Sequence, residues 1–440
     1  MKKAVLPVLL TLVVLSTAAC GSAAIDTTTT DPPEVTGELV SLDSEELQSE
    51  LQRLVSPYVE TTDQGTLVEG NSAFAFDLYR RLSQGDTNLF YSPYSISLAL
   101  AMTYAGARGQ TEQQMADTLH FTLGQEKLHS AFNWLDQQLA RRGEDAEDRD
   151  GEGFKLNIAN AIWGQQNHRF LADFLDVLAE NYGAGLRGLD FVSQPEESRL
   201  IINQWVSDQT EGKIEDLIPP GAIDIWTRLV LTNAIYFNAA WEHQFDEDNT
   251  IDRPFYLPDG SQTSVPMMRQ TKTFNYTEGD GYRAVELPYD GGELSMVIVV
   301  PDEGNFGAFE DSLDAQLVDD IIRDMESRRV SLAMPKFEFS SDFSLAETLA
   351  AMGMPAAFSD ADFSGMTGAP GLFISDIIHK AFVSVDEYGT EAAAATAVIM
   401  PGAAPLETVT LNIDHPFIFL IRDIETGSML FVGRVLNPNE

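Results

Sequence analysis

Six histidines are the side chains best able to move protons near neutrality in this 440-residue chain: His120, His129, His168, His243, His379 and His415. None falls in an HExxH pair or another ligand spacing, so the sequence predicts no metal centre. There is no GxSxG elbow, no SxxK, no Walker lysine and no GxGxxG, so neither a marked serine nucleophile nor a phosphate-binding loop is present. A triad built from distant residues is recognised by geometry rather than order, which keeps a hydrolase open as an alternative. His379 and His415 lie in core-like sequence, where a structural hydrogen-bonding role is the simpler reading. The 68 Asp+Glu are too numerous for any pair to be informative, and most read as a solvated face. The residues call for no enzyme and no cofactor.

A different kind of chemistry is suggested by residues 385–398, VDEYGTEAAAATAV. Taken alone, residues 390–397 are a helix, because Ala is the best helix former. The alternative is that every side chain is small because the segment must fit somewhere tight. In strand alternation Thr390, Ala392, Ala394, Thr396, Val398 and Met400 share one uncharged face, able to slide over a core. Glu391, Ala393, Ala395, Ala397 and Ile399 share the other, so the one charge points outward. Pro401, Gly402, Ala403, Ala404 and Pro405 then form an exposed, breaker-rich tip.

The elements around this segment change character along the chain. Residues 72–83 have helical spacing, with Phe74, Leu78 and Leu82 on one face, and residues 96–104 are apolar enough for a helix buried on most sides. Gly106 reads as a stop, and Thr111 to Gln114 as a capping box opening the next helix. Helical patterns follow at 171–182 and 196–209. Residues 229–237 and 294–300 then read as strands buried on both faces, with further strands at 381–385, 417–421 and 429–432. Helices early and strands late, without regular alternation, predict an α+β fold, and no breaker-rich linker divides residues 68–440. With 44% hydrophobic residues the chain can bury a large core, and its net charge of −41 argues against nucleic acid as a partner.

The N-terminus reads as a processing signal. Lys2 and Lys3 precede a short apolar run, and the chain's single cysteine, Cys20, follows Ala18 and Ala19 where that run ends. This resembles a bacterial lipoprotein signal: residues 1–19 would be removed and Cys20 lipidated, anchoring an exported protein to a membrane it never crosses. Cleavage after Ala24 is the alternative. Residues 20–67, acid-rich with Arg53 the only base, read as a flexible tether.

Several blocks, taken in order, resemble the serpins, inhibitors of serine proteases. They are residues 88–97 (NLFYSPYSIS), 104–109 (YAGARG), 202–206 (INQWV), 210–214 (TEGKI), 233–237 (NAIYF) with Trp241, 285–289 (VELPY), 361–366 (ADFSGM), 414–419 (DHPFIF) and 433–435 (GRV). The small-residue segment then resembles the hinge and reactive loop of that family. The resemblance implies a serpin fold, a bundle of about eight or nine helices with three β-sheets and an exposed reactive-centre loop. It implies a monomer acting as a suicide substrate: a serine protease cuts the loop, and the freed arm enters the central sheet as a new strand while the acyl-enzyme is still intact. A non-inhibitory serpin acting as a binding protein is the alternative.

Residue by residue, the resemblance assigns the hinge to Glu387, Gly389, Thr390, Glu391, Ala392, Ala393, Ala394, Ala395 and Thr396. A polar cluster where the strands part maps to Ser92, Ser95, Asn233 and His379. A pair at the top of the sheet maps to Lys336 and Glu387, beside Trp241. Counting from Glu387 by the family's spacing puts the scissile bond at Ala403–Ala404, with Met400 the rival. Small or apolar residues there suit elastase-, chymotrypsin- or subtilisin-like partners. No Lys or Arg occurs from Asp386 to Ile421, which argues against trypsin-like enzymes. No basic cluster for a polyanionic activator is evident in the sequence.

Overall fold

A computed structural model describes residues 38–42, 46–144, 154–390 and 407–440. The expected signal peptide, Cys20, the hinge positions Glu391, Ala392, Ala393, Ala394, Ala395 and Thr396, and the cleavage candidates Met400, Ala403 and Ala404 lie outside the described residues.

The strand Leu229–Ala240 runs through the centre of the fold, and all twelve of its residues are buried. Its alternation explains why both faces are apolar. Leu229, Leu231, Ile235, Phe237 and Ala239 enter the main core. Val230 and Ala234 face the other way, into a second core with Trp163, Ile202 and Val206 beneath the helix Pro195–Gln209. The sheet containing it has seven strands, in the order Phe337–Ser344, Asp376–Val385, Gly389–Thr390, Leu229–Ala240, Lys155–Gln165, Leu186–Leu189 and Glu46–Leu47. A nine-stranded sheet packs on the main core. Its path runs Thr408–Asn412, Glu326–Pro335, Gln262–Gly279, Tyr282–Pro288, Leu294–Pro301, Phe417–Asp423, Met429–Val435 and Leu89–Tyr91, with Ile251–Tyr256 paired to Gln262–Gly279. A two-stranded sheet and ten α-helices among the described residues complete the α+β fold. No described helix is long and apolar enough to cross a membrane.

The helix Pro93–Tyr104 is buried at every position and opens at Ser92, whose hydroxyl accepts the Ser95 amide, with Pro93 at its first turn. The capping-box expectation at Thr111 is corrected. That helix starts at Gly109, and the Thr111 hydroxyl instead accepts the Asp362 amide at 2.9 Å. The first helix begins well before residue 72, at Thr61. Gly65 and Gly70 depress helix propensity there, yet Leu67 is buried, and a Cβ on Gly70 would stand 2.6 Å from the His120 carbonyl.

The tether expectation is corrected for residues 38–42 and 46–67. Leu39–Ser41 pairs antiparallel with Arg169–Leu171, Leu42 is fully buried, and Glu46–Leu47 adds an edge strand beside Leu186–Leu189. Arg53 then donates to Asn133 Oδ1 at 2.8 Å and pairs with Asp136 at 2.6 Å. Acid-rich composition hid a sparse set of anchors, Leu39, Leu42 and Leu47, each needing only a neighbouring edge to be buried.

Candidate functional site

Low in the seven-stranded sheet, Asp376–Val385 and Leu229–Ala240 pair directly and in parallel, from Asp376 opposite Val230 to Ala381 opposite Ile235. Above that the two strands separate, and the two-residue strand Gly389–Thr390 occupies the space. It pairs antiparallel with both neighbours, Gly389 opposite Ala240 and Thr390 opposite both Ala239 and Val385. The gap is narrow: a Cβ on Gly389 would fall 2.2 Å from the Ala239 carbonyl oxygen, so only glycine passes. Thr390 shares the face of Ala239, which belongs to the main core. It is 1% exposed, and its hydroxyl bonds to the Tyr289 hydroxyl at 2.7 Å.

The turn before this strand is held by convergent polar contacts. Glu387, 3% exposed, receives Lys336 Nζ at 2.6 Å and the Thr250 hydroxyl at 2.6 Å. Burial acts to raise its pKa, but these two donors outweigh it and hold the carboxyl below its ordinary range. Asp386 differs. Burial dominates there and raises its pKa, although its carboxylate accepts the Tyr388 amide at 2.9 Å. Trp241 donates its indole N–H to the Asp386 carbonyl at 3.0 Å and stacks on Tyr289 with ring centroids 4.7 Å apart. Lys336, Glu387 and Trp241, matched from sequence, are thus brought together, and Thr250, Tyr289 and Asp386 join them unforeseen.

A second polar group lies deeper, where the neighbouring strands still touch. Asn160, Asn233 and His379 stand in one register row across three strands. Ser92, Ser95, Asn233 and His379 are all fully buried. The Ser92 amide donates to His379 Nε2 at 3.2 Å, so Nδ1 carries the ring proton and donates to Asn233 Oδ1. Asn233 Nδ2 donates to Ser95 Oγ at 2.8 Å and to Asn160 Oδ1 at 2.6 Å. Burial lowers the His379 pKa to about 3, so the imidazole is neutral at physiological pH. The structure gathers all four expected residues and adds Asn160, which sits between Ala159 and Ala161. A polar residue between small apolar ones in a strand was the available signal.

Of the other histidines, His415 bonds to Asp414 and to the Pro301 carbonyl, and His129 bonds to the Tyr182 hydroxyl. Neither meets a serine hydroxyl in a triad arrangement. No group of His, Cys, Asp or Glu suited to a metal ion occurs among the described residues.

Comparison with known proteins agrees with this geometry. The family model described as "Serpin (serine protease inhibitor)" matches residues 69–438. The chain is 40% identical over 377 residues to a serpin-like protein of Thermococcus kodakarensis, covering 85% of this chain and 86% of that one. It is 40% identical over 385 residues to the leukocyte elastase inhibitor of Homo sapiens, covering 84% and 99% respectively. Among solved structures, the thermophilic serpin tengpin in its native state superposes with a TM-score of 0.78 at 28% identity, covering 91% of this chain and all of that one. Thyroxine-binding globulin with thyroxine superposes at 0.75 and 31% identity, covering 85% of this chain and all of the other. A fold and a sequence match of this extent make the chain a member of the serpin family.

Proposed function

We propose that the protein inhibits a serine protease as a suicide substrate, and that the segment after Thr390 enters the central sheet once the loop is cut. The observation that carries this reading is the two-residue strand Gly389–Thr390, already hydrogen-bonded between its future neighbours while those neighbours remain paired below it. Extending it downward exchanges one ladder for two, adding hydrogen bonds and burying apolar surface. The face of Thr390 points into the core, and the residues that continue that face, Ala392, Ala394 and Thr396, are small enough to follow it. Propagation must break the Asn233–His379 bond, which gives the buried polar row the role of controlling strand separation. Lys336, Glu387 and Trp241 fix the turn where entry begins. The loop residues favour an elastase-, chymotrypsin- or subtilisin-like target, and one similar chain is named for inhibiting leukocyte elastase.

The test is a denaturing gel of residues 38–440 incubated with pancreatic elastase, chymotrypsin and subtilisin. A band at the summed mass that survives detergent is expected, with mass spectrometry of the released peptide choosing between Ala403 and Met400. Thr390→Arg should abolish that band and leave cleaved protein, because a guanidinium would have to enter the core at a 1% exposed position. Clean cleavage of the unaltered protein by all three enzymes, or trapping by the Arg variant at the original ratio, would defeat the reading.

A further inference from the structure

The outward face of the sheet that follows the reactive loop carries arginines without acid partners. Arg253 pairs in register with Val265, Arg269 lies four residues further along the same strand, and Arg329 stands opposite Thr273. By alternation Arg269 and Arg329 share one face; Arg253, whose register partner Val265 is buried in the core, reaches it by lining the same hollow as Arg269, and all three are exposed. The chain carries 68 Asp+Glu against 27 Lys+Arg, and Arg53, Arg142, Arg199 and Arg434 each pair with a carboxylate. Among the described residues Arg253, Arg269 and Arg329 make neither an ion pair nor a side-chain hydrogen bond, and they come from three stretches spread along the sequence. Hollows lie beside them, one lined by Arg253, Tyr256, Met267, Arg269, Asn412 and Asp414, the next by Arg269, Thr271, Ser331 and Asp248.

We propose that this face is a second contact for the target protease and takes an acidic patch on the enzyme's surface. The proposal rests on the inhibitory reading and adds to it what draws the enzyme to the loop. Successive arginines are about 13 Å apart along the strands, too far for one small anion and suited to a macromolecular surface. The occupant follows from the chain path. Arg329 pairs directly with Thr408, the first residue of the strand after the loop, and Ala404 precedes Thr408 by four residues, at most about 14 Å of extended chain. A protease of about 240 residues has a radius of gyration of about 18 Å. Seated on the loop, it must overhang the Arg329 end of this face. On a molecule of net charge −41, three exposed arginines without ion pairs give an acidic enzyme local positive charge to meet.

The experiment compares the full chain with its Arg253→Glu, Arg269→Glu and Arg329→Glu triple variant. It uses whichever of elastase, chymotrypsin and subtilisin is trapped fastest, both native and succinylated to add surface carboxylates. For the succinylated enzyme at low salt, the association rate constant should fall about tenfold or more in the triple variant. The loss should shrink to within about twofold in 1 M NaCl, with an unchanged inhibition ratio and melting temperature. Arg329→Glu alone should account for the largest share. Equal rates for the two proteins at low salt would overturn the proposal, as would a loss that salt does not relieve. Acceleration by dextran sulfate that only the triple variant lacks would reassign the face to a polyanion and overturn it as well. Failure of the unaltered protein to trap any of the enzymes would instead fail the inhibitory reading beneath it.

Discussion

His379 illustrates how a single buried side chain couples the site to solution conditions. Folded, its pKa is lowered to about 3 by burial; unfolded, it returns to its ordinary value near 6.5. Between those values the unfolded chain binds a proton that the folded chain does not, so falling pH favours unfolding. His129, lowered to about 4 by burial and then by Arg108, acts in the same direction. His415 acts oppositely: its bond to Asp414 raises its pKa, and its contribution is present below about 6.5 and lost as pH rises through the raised value. His168, lowered by burial and then by Arg228, joins the first two, and three histidines against one predict a melting temperature that drops as pH falls from 7 towards 4. His379→Gln should melt lower at pH 7 but show a shallower drop below pH 6.5, read by fluorescence-monitored melting across that range. Identical slopes for the two proteins would mean His379 does not carry the effect. The chemical type of His379, Asn233, Ser92 and Ser95 was visible in the sequence. Asn160 was marked only as a polar residue between small apolar ones, which gives no sign of which partner strand it will face.

At the scale of elements, legibility followed how completely an element is buried. The strand Leu229–Ala240 and the helix Pro93–Tyr104 are apolar nearly throughout and were readable from composition. The eighteen-residue strand Gln262–Gly279 was not, since only Val265, Met267, Met268, Phe274 and Tyr276 are buried and Thr, Gln, Arg and Lys fill the rest. Its hydrogen-bond partners hold it in the sheet where side-chain pattern is silent. Residues 38–42 and 46–59 failed for the same reason, with backbone pairing and a few anchors doing what a hydrophobic stripe would do elsewhere. Arg53 is one such anchor. It bonds to Asn133 and Asp136 on the helix Gln125–Leu139, and Asn133 in turn donates to the carbonyls of Leu54 and Glu180. Both partners of the ion pair keep partial exposure, so the charge term is small, while the buried Asn133 loses a donor if Arg53 is removed. Arg53→Ala should therefore cost about 1–2 kcal/mol and lower the melting temperature by a few degrees. Arg53→Lys should recover little, because its single nitrogen cannot reproduce the guanidinium fork that reaches both acceptors. A melting curve unchanged by Arg53→Ala would show that the segment does not brace the helix.

For the whole molecule, the proposed function implies a native state that is not the best-paired arrangement of this chain, with the lower sheet closed and a strand begun at its top. Asp376–Ala381 and Val230–Ile235 share one parallel ladder, yet each could pair with a strand inserted between them. Insertion breaks that ladder and the Asn233–His379 bond, then forms two ladders along about ten added residues. At a net gain of about 0.5–1.5 kcal/mol per hydrogen bond, with apolar burial in addition, the inserted state is favoured by on the order of 10 kcal/mol. On that proposal the conversion would wait on cleavage, because an intact loop is tied at both ends, to Thr390 in one sheet and to Thr408 at the edge of the other. Cutting the loop anywhere in the proline-rich tip frees the arm without touching a described contact. Protein nicked there by a protease that it does not trap should then melt on the order of 10–15 °C higher than intact protein, on the scaling of stability to melting temperature for domains of this size. Thr390→Arg, nicked in the same way, should show a much smaller rise, because its arm stalls at the first core position. Calorimetry of the four samples separates the possibilities: a rise in both nicked proteins would mean that insertion tolerates a charge at residue 390, and a rise in neither would mean that the strand begun at Gly389 goes no further.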